Sequence, residues 1–450
     1  MSILRKIGFL LAAALVLQGS AVLAAEEAPL IQPESASILS GEADASVLLD
    51  GSRQTKWRSE KGEVTFTLPQ SAQAIYLEWD FAPDDWTVTS DGTAVTAGTE
   101  GYIHYYMPLF QPSTEISLNW EGDATLCDVY FLGEGTLPDF VQEWEPPCDK
   151  ADFLLLPTHA DDEHLWFGGV MPLYAGEQDL EVQVAYMVQH NTEPYRLHEQ
   201  LDGLWKVGVE NYPVIPDYPD VYSDSLEHAR TIYNEDEIIA YQVGLIRRFQ
   251  PSVIVGHDIN GEYGHGAHRL NTDALMQSVE LAADPTAYPE VEGVWDTPKT
   301  YLHLYPENAI VMDWDQPLSY FGGKTAFEMA KEGFACHASQ TQYFKVEQTG
   351  SYDCRKFGLY RSTVGPDTTA DMTENLPKRT TEPDCESQPV SEPESMPVLA
   401  VSQSEPADSQ PAEPVASEEA GEVSTMVWPL LIGVAVLTTA ISFIRLLRRR

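Results

Sequence analysis

Residues 152–169 read Asp-Phe-Leu-Leu-Leu-Pro-Thr-His-Ala-Asp-Asp-Glu-His-Leu-Trp-Phe-Gly-Gly, and the parsing of this run decides the fold. Phe153 to Leu156 is a short, wholly apolar stretch stopped by Pro157, the pattern of a strand buried on both faces in a parallel sheet. His159, Asp161, Asp162 and Glu163 sit at its carboxyl end, where open α/β sheets bind ligands. His159 and Asp162 are three apart, so a turn entering a helix points both at one ion, and imidazole with carboxylate is a zinc-type donor set. Asp161 then lies beside that ion, free to act as a base. A plainer reading leaves the three acids as caps on the following helix, where the N-terminal dipole favours carboxylates. Glu163 and His164 are expected to cap and pack that helix.

A second stretch repeats the arrangement. Ser252 to Gly256 is a Val/Ile run led in by Pro251, and it ends in His257-Asp258-Ile259-Asn260-Gly261-Glu262-Tyr263-Gly264-His265-Gly266-Ala267-His268. The order is again strand, glycine-rich turn, polar cluster and then a helix, here from Arg269 to Leu281. His265 and His268 are three apart, so one can bind an ion while its neighbour faces a substrate. Two polar clusters at two strand ends are more than helix caps explain.

These residues resemble the LmbE/PIG-L family of zinc-dependent sugar N-deacetylases. His159-Ala160-Asp161-Asp162-Glu163 followed by Gly168-Gly169 is similar to the family's opening motif, which usually has proline where this chain has Ala160. Tyr263-Gly264-His265-Gly266-Ala267-His268 is similar to its later Tyr-Gly-His-x-x-His motif. Arg196, Glu199, Leu204 and Gly208-Val209 fit a middle motif, and Lys331 with His337-Ala338-Ser339-Gln340 is similar to the family's C-terminal region. The resemblance spans roughly residues 150–365. It implies one divalent ion, zinc, held by His159, Asp162 and His268, with an open position for catalysis. It implies Asp161 as the base and His265, protonated beside the ion, as oxyanion stabiliser or acid to the departing amine. Tyr263 is a further donor to the oxyanion, and Arg196 a ligand for sugar hydroxyls. Many members carry Asp where this chain has Ala267, a departure that bears on the acid strength of the neighbouring histidine. His337, without a ligand partner nearby in sequence, reads as structural or as a support behind the ligands.

Strands and helices alternate over 150–365, as in a parallel sheet. A strand is expected over Val182 to Val188, helices from about Pro194 to Val207 and from Ser225 to Phe249, a strand over Thr300 to Tyr305, and a helix reaching His337. Upstream, residues 30–142 are all-β by their Val/Thr/Tyr/Trp-rich runs and turn signals. Asp50-Gly51 with Thr55-Lys56-Trp57 resembles a turn of discoidin-like, galactose-binding β-sandwich modules. Trp86 and His104-Tyr105-Tyr106 are open to two readings, platforms for sugar rings or sandwich core.

The ends address the chain. Arg5 and Lys6 precede an apolar run, Ile7 to Leu17, and then the small residues of a cleavage site, which is a secretory signal peptide. Met426 to Ile444 has no charge and is long enough to span a bilayer, and Arg445, Arg448, Arg449 and Arg450 keep the tail cytoplasmic. The formal charge is −44, and setting aside these six basic residues takes the rest to −50. Such a surface repels nucleic acid; it suits neutral or cationic substrates, and equally it serves plain solubility. Of five cysteines, Cys127–Cys148 and Cys336–Cys354 are the pairings that proximity suggests, with Cys385 left over, and there is no Cys-x-x-Cys zinc motif.

The expected fold class is therefore α/β: a Rossmann-like parallel-sheet catalytic domain preceded by an all-β sandwich. The expected segments are a signal peptide (1–25), a β-sandwich read as a carbohydrate-binding module (26–147), the deacetylase-like domain (148–365), a disordered acidic Pro/Ser/Glu stalk (366–425), a transmembrane helix (426–444) and a basic tail (445–450). The expected activity is that of a membrane-anchored, extracellular zinc hydrolase. It would remove acetyl groups from N-acetylglucosamine-type glycans or glycoconjugates. The alternative is a surface glycan-binding protein with an inactive deacetylase-like domain. The complete set of His159, Asp161, Asp162 and His268 favours the enzyme, and oligomeric state stays open.

Overall fold

The structure, a computed structural model, describes residues 26–39 and 44–377. The leader 1–25, the stalk beyond 377, Cys385, the span 426–444 and the tail 445–450 lie outside the described residues. Among those described, no helix is long and apolar enough to cross a membrane.

The first part is an antiparallel sheet of β1 (Ser35–Ile38), β2 (Trp57–Phe81), β3 (Trp86–Ser90), β4 (Thr93–Ala97) and β5 (His104–Leu132), in the order β1-β2-β5-β3-β4. Alternation puts Val64, Phe66 and Leu68 inside, and likewise Trp86, Val88 and Ser90. The strands were expected as two stacked sheets. They form instead one continuous sheet in which β2 and β5 are long and bent, so that Ile75 pairs with both Met107 and Phe131 at the two ends of β5. Its core is aromatic: Trp120 packs edge-on against Trp57 and Trp79, at 4.9 and 5.2 Å between ring centroids. Trp86 and His104 belong to the interior, 1% and 0% exposed, so of the two readings for them the core is the observed one.

The second part is the six-stranded sheet that carries the two motif runs. β6 (Phe153–Leu155), β7 (Val182–Val184), β8 (Val253–Gly256) and β9 (Lys299–His303) are mutually parallel, and β10 (Ala309–Val311) and β11 (Lys356–Ser362) add an antiparallel edge, giving β10-β11-β9-β8-β6-β7. Every residue of the four parallel strands is buried, the signature of a sheet covered on both faces. β6 and β8 are neighbours in register, Leu155 opposite Val255, so their carboxyl ends deliver both polar clusters to one place.

The helices are α1 (Asp162–Leu165), α2 (Pro194–Lys206), α3 (Leu226–Ile232), α4 (Glu235–Phe249), α5 (Gly266–Ala283) and α6 (Ala326–Cys336). Two differences from expectation have local causes. The long helix expected over 225–249 is broken at Asn234, whose side chain accepts from the Asp236 N–H and starts α4 afresh. The strand expected over 182–188 is regular only to Val184; beyond it Ala185 and Gln189 make single bridges to Val214 and Pro219. The pair Gly168-Gly169 is explained by close approach: a Cβ on Gly168 would lie 2.4 Å from the Trp314 ring.

The two sheets meet along α2. Arg53 bridges Glu78 of β2 (2.6 Å) and Asp202 of α2 (2.5 Å). His198 of α2 stands 2.7 Å from His104 of β5 and 3.1 Å from Asp80 of β2. Cys127, Cys148, Cys336 and Cys354 are free thiols, so neither suggested pairing forms; the Cys127 thiol donates to Asp80 instead. The described fold also continues past the expected start of the stalk at 366. Met372 is fully buried, and Lys299 donates to the carbonyls of Met372 and Glu374 and pairs with Asp367.

Candidate active site

The carboxyl ends of β6 and β8 and the first turn of α5 bring three donor atoms together. His159 Nδ1 lies 3.1 Å from Asp162 Oδ2 and 3.1 Å from His268 Nε2, and the last two are 3.2 Å apart. Two ligands of a tetrahedral zinc, each about 2.0–2.1 Å from the ion, stand about 3.3 Å apart, so this nearly equilateral triangle fits one face of such a site. The other oxygen of Asp162 accepts from the indole N–H of Trp166 at 2.7 Å, which turns Oδ2 toward the histidines. Burial works against the Asp162 charge, but His268, His257 and His159 hold its carboxyl well below the usual range. His268, despite burial, is raised to about 10 by Asp162 and Glu262. A proton there answers the same negative field that a divalent ion would.

His257 competes for a place in this set, since its Nε2 is 3.5 Å from Asp162 Oδ2. That nitrogen, however, already accepts the Thr158 N–H at 2.9 Å, which leaves no lone pair for an ion. His257 instead belongs to a group the sequence reading missed. Glu262, fully buried, accepts from His257 Nδ1 (2.8 Å) and His268 Nδ1 (2.9 Å) through one oxygen and from His303 Nδ1 (2.7 Å) through the other. A carboxylate that takes the outer N–H of a ligating imidazole fixes its tautomer and aims its free nitrogen at the metal. Glu262 was in plain view in the second run, and His303 ends β9 at the same level as the ends of β6 and β8. Asp220, 3.5 Å from His159 Nε2 and 3.6 Å from His190 Nδ1, comes from a loop with no sequence signal.

Asp161 has φ 123°, strained for a residue with a side chain. Its N–H donates to Glu163 at 2.9 Å. Burial first, then the charge of Asp162, pushes its carboxyl well above the normal range. Arg196 does not reach into the cleft as a free cation. It is buried, donates to the Ala160 carbonyl and lies 3.8 Å from Asp161. His265 Nδ1 accepts the Ala267 N–H at 3.2 Å, as cap of α5. Burial and the neighbouring His159 and His268 lower it to about 3. A protonated His265 is therefore not what its surroundings favour. As a neutral ring with Nδ1 accepting, it carries its hydrogen on Nε2.

His159, Asp161, Asp162, Arg196, Asp220 and His265 line a cleft of about 250 Å³ that also includes Trp166, Tyr222, Tyr263, Gln340 and Phe344. Tyr222 and Tyr263 are 67% and 44% exposed and flank His265 at 5.3 and 5.6 Å between rings, an aromatic rim at the mouth. A larger cleft of about 570 Å³, bordered by Leu137, Trp205, Phe321 and Met329, is lined by no histidine, so the chemistry sits in the smaller one.

No family model matches the chain. Over 208 residues it is 28% identical to 1D-myo-inositol 2-acetamido-2-deoxy-alpha-D-glucopyranoside deacetylase 1 of Catenulispora acidiphila, covering 40% of this chain and 64% of that protein. It is also 28% identical over 184 residues to the corresponding deacetylase of Geodermatophilus obscurus, covering 35% and 62%. The chain thus spans less than two thirds of the length of these relatives. Among solved structures, an N,N'-diacetylchitobiose deacetylase from Pyrococcus horikoshii overlays with a TM-score of 0.33 at 17% identity, over 43% of this chain and 72% of that one, too loosely to carry an argument.

Proposed function

We propose that the cleft is the active site of a zinc-dependent N-deacetylase acting on 2-acetamido sugars. The observation that carries this reading is the His159, Asp162 and His268 triangle, open on the side where Asp161, His265 and Tyr263 stand. The names of the similar curated proteins support the amide of an N-acetylglucosamine-type sugar as the bond hydrolysed. A divalent ion held by His159, Asp162 and His268 supplies Lewis acidity to the water nucleophile and the amide carbonyl.

The chain's own groups do the rest. Asp161, its proton affinity raised by burial, takes a proton from the attacking water and returns it to the departing amine. Arg196 positions Asp161 through the Ala160 carbonyl. His265 donates its Nε2 hydrogen to the oxygen that gains negative charge, as a neutral donor and not as an acid. Burial raises the Tyr263 phenol far above neutral pH, so it too is a donor. Tyr222 and Tyr263 offer ring faces to a pyranose. The cell-surface location rests on the leader and the apolar span read from the sequence. The glycan-platform alternative has no exposed ring at Trp86 or His104 to rest on.

Acetate release from N-acetylglucosamine-containing substrates by the full chain tests the activity. Zinc-loaded protein is expected to release acetate, to stop on chelation and to resume when zinc is restored. Zinc-loaded protein that leaves every 2-acetamido sugar intact would overturn the proposal.

A further inference from the structure

Adjoining the cleft through Asp161 is a second polar cluster, closed to solvent and not used by the chemistry above. Glu163, His164 and His337 are each 0% exposed. One oxygen of Glu163 accepts the Asp161 N–H; the other is 3.4 Å from His337 Nε2 and 3.5 Å from His164 Nε2. The three donor atoms lie within 4.8 Å of one another. None has a well-formed hydrogen bond, and neither do the remaining nitrogens of the two imidazoles. The Tyr186 hydroxyl faces Glu163 and Gln200, and neither it nor the Gln200 amide makes a well-formed hydrogen bond. Leaving one buried polar atom unpaired costs about 1–3 kcal/mol, so a knot of them in one place calls for an occupant.

The helices around the cluster are shaped for it. Gly203 lies inside α2 and Gly333 inside α6, positions where glycine costs about 1 kcal/mol relative to alanine. A Cβ at 203 would fall 2.7 Å from His164 Nε2 and 2.9 Å from His337 Nε2, and one at 333 would fall 2.5 Å from His164 Nδ1. Both glycines therefore keep room for the two imidazoles. The separations of 3.4 and 3.5 Å match the edge of about 3.3 Å between ligands of a tetrahedral zinc. Hydrogen-bonded pairs would be closer, near 2.9 Å.

We propose that Glu163, His164 and His337 hold a second divalent ion of zinc's class, an enclosed structural ion separate from the one at the cleft. It ties α1 to the end of α6 and, through Glu163, fixes the strained backbone of Asp161. This goes beyond the catalytic reading and does not depend on it.

The test is zinc content of the purified full chain by mass spectrometry, together with anomalous X-ray scattering from its crystals at the zinc edge. Two zinc ions per chain are expected, one peak lying among Glu163, His164 and His337. His164→Leu and His337→Leu should each lower the ratio from two to one and abolish that peak alone, while His268→Ala removes only the cleft ion. Ordered waters in place of the inner peak would overturn the proposal. So would a ratio of two that His337→Leu leaves unchanged. Should the leucine variants fail to fold, the wild-type map decides by itself. A peak at Glu163 with none at His159 refutes the reading of the cleft and leaves the inner site standing; the reverse pattern refutes the inner site alone.

Discussion

Replacing Glu262 with glutamine tests the support behind the proposed ligands without emptying it. Although burial opposes it, the carboxyl is held well below the normal range by His257, His268 and His303, so the native group is a carboxylate that only accepts. In Glu262→Gln the amide oxygen can stand where one carboxylate oxygen stood and keep the N–H groups of His257 and His268, 2.8 and 2.9 Å away. The new NH2 then faces His303 Nδ1, which can accept if the ring carries its hydrogen on Nε2, 3.3 Å from the Asp353 carbonyl. The imidazole hydrogen bonds survive and one negative charge is lost, while the Asp258 N–H, 3.2 Å from the oxygen that becomes NH2, loses its acceptor with or without zinc. Loss of such a carboxylate behind a ligating histidine costs roughly 10–100-fold in metal affinity, or about 1.4–2.7 kcal/mol. At fixed free zinc above saturation, zinc-derived stability should fall by that same amount. Competition against a chelator of known affinity reads the first quantity, and urea unfolding in zinc buffers reads the second. Zinc affinity within twofold of wild type, with undiminished stabilisation by zinc, would refute the view that Glu262 tunes His268 as a ligand. Glu262→Ala is the contrast: it strands three imidazole N–H groups at about 1–3 kcal/mol each, and little folded protein is expected.

Asp161→Asn should lower acetate release by about 10²–10⁴-fold with zinc content unchanged, and near-normal turnover would move the base elsewhere. Because the folded-state pKa of Asp161 lies above its ordinary value, its contribution to stability is present at low pH and lost as pH rises through that raised value; chelated Asp161→Asn should therefore be the more stable protein at neutral pH in urea, and no gain there would contradict the burial argument. His265→Gln keeps a neutral donor and should retain more activity than His265→Ala; an alkaline decline in wild-type rate that vanishes in His265→Gln would show that the imidazolium is the acid after all. Arg53→Ala leaves Glu78 buried without its partner, and a loss of about 2–4 kcal/mol in urea unfolding is expected, whereas an unchanged midpoint would mean that the contact between the two sheets carries no stability.

The α/β fold was legible because β6 and β8 are buried on both faces and so read as unbroken apolar runs, each closed by a polar cluster at its carboxyl end. The meeting of His159, Asp162 and His268 was legible for the same reason: they lie within two short runs whose strands are adjacent. Tertiary detail was less so. The Asn234 cap competes with a continuous helix on equal propensity, and only packing decides between them. The thiols near each other in sequence stay unpaired, and Cys127 donates to the Asp80 carboxylate at the contact between the two sheets.

Charge states were the least legible feature, because they depend on what surrounds a group on every side. In sequence, His265 and His268 look equivalent, two imidazoles three residues apart. In the fold, His268 sits between two carboxylates and is raised to about 10, while His265 faces other imidazoles across a buried wall and is lowered to about 3. The same contrast separates Asp161 from Asp162: adjacent in the chain, one is surrounded by histidines and stays ionised, and the other, next to that charge, is driven toward its protonated form. Paired groups pushed apart in this way are how one site sets an anionic ligand beside a proton acceptor. The assignment of roles therefore comes also from the groups that hold these residues: Glu262 behind His268, Trp166 on Asp162 and Arg196 beside Asp161.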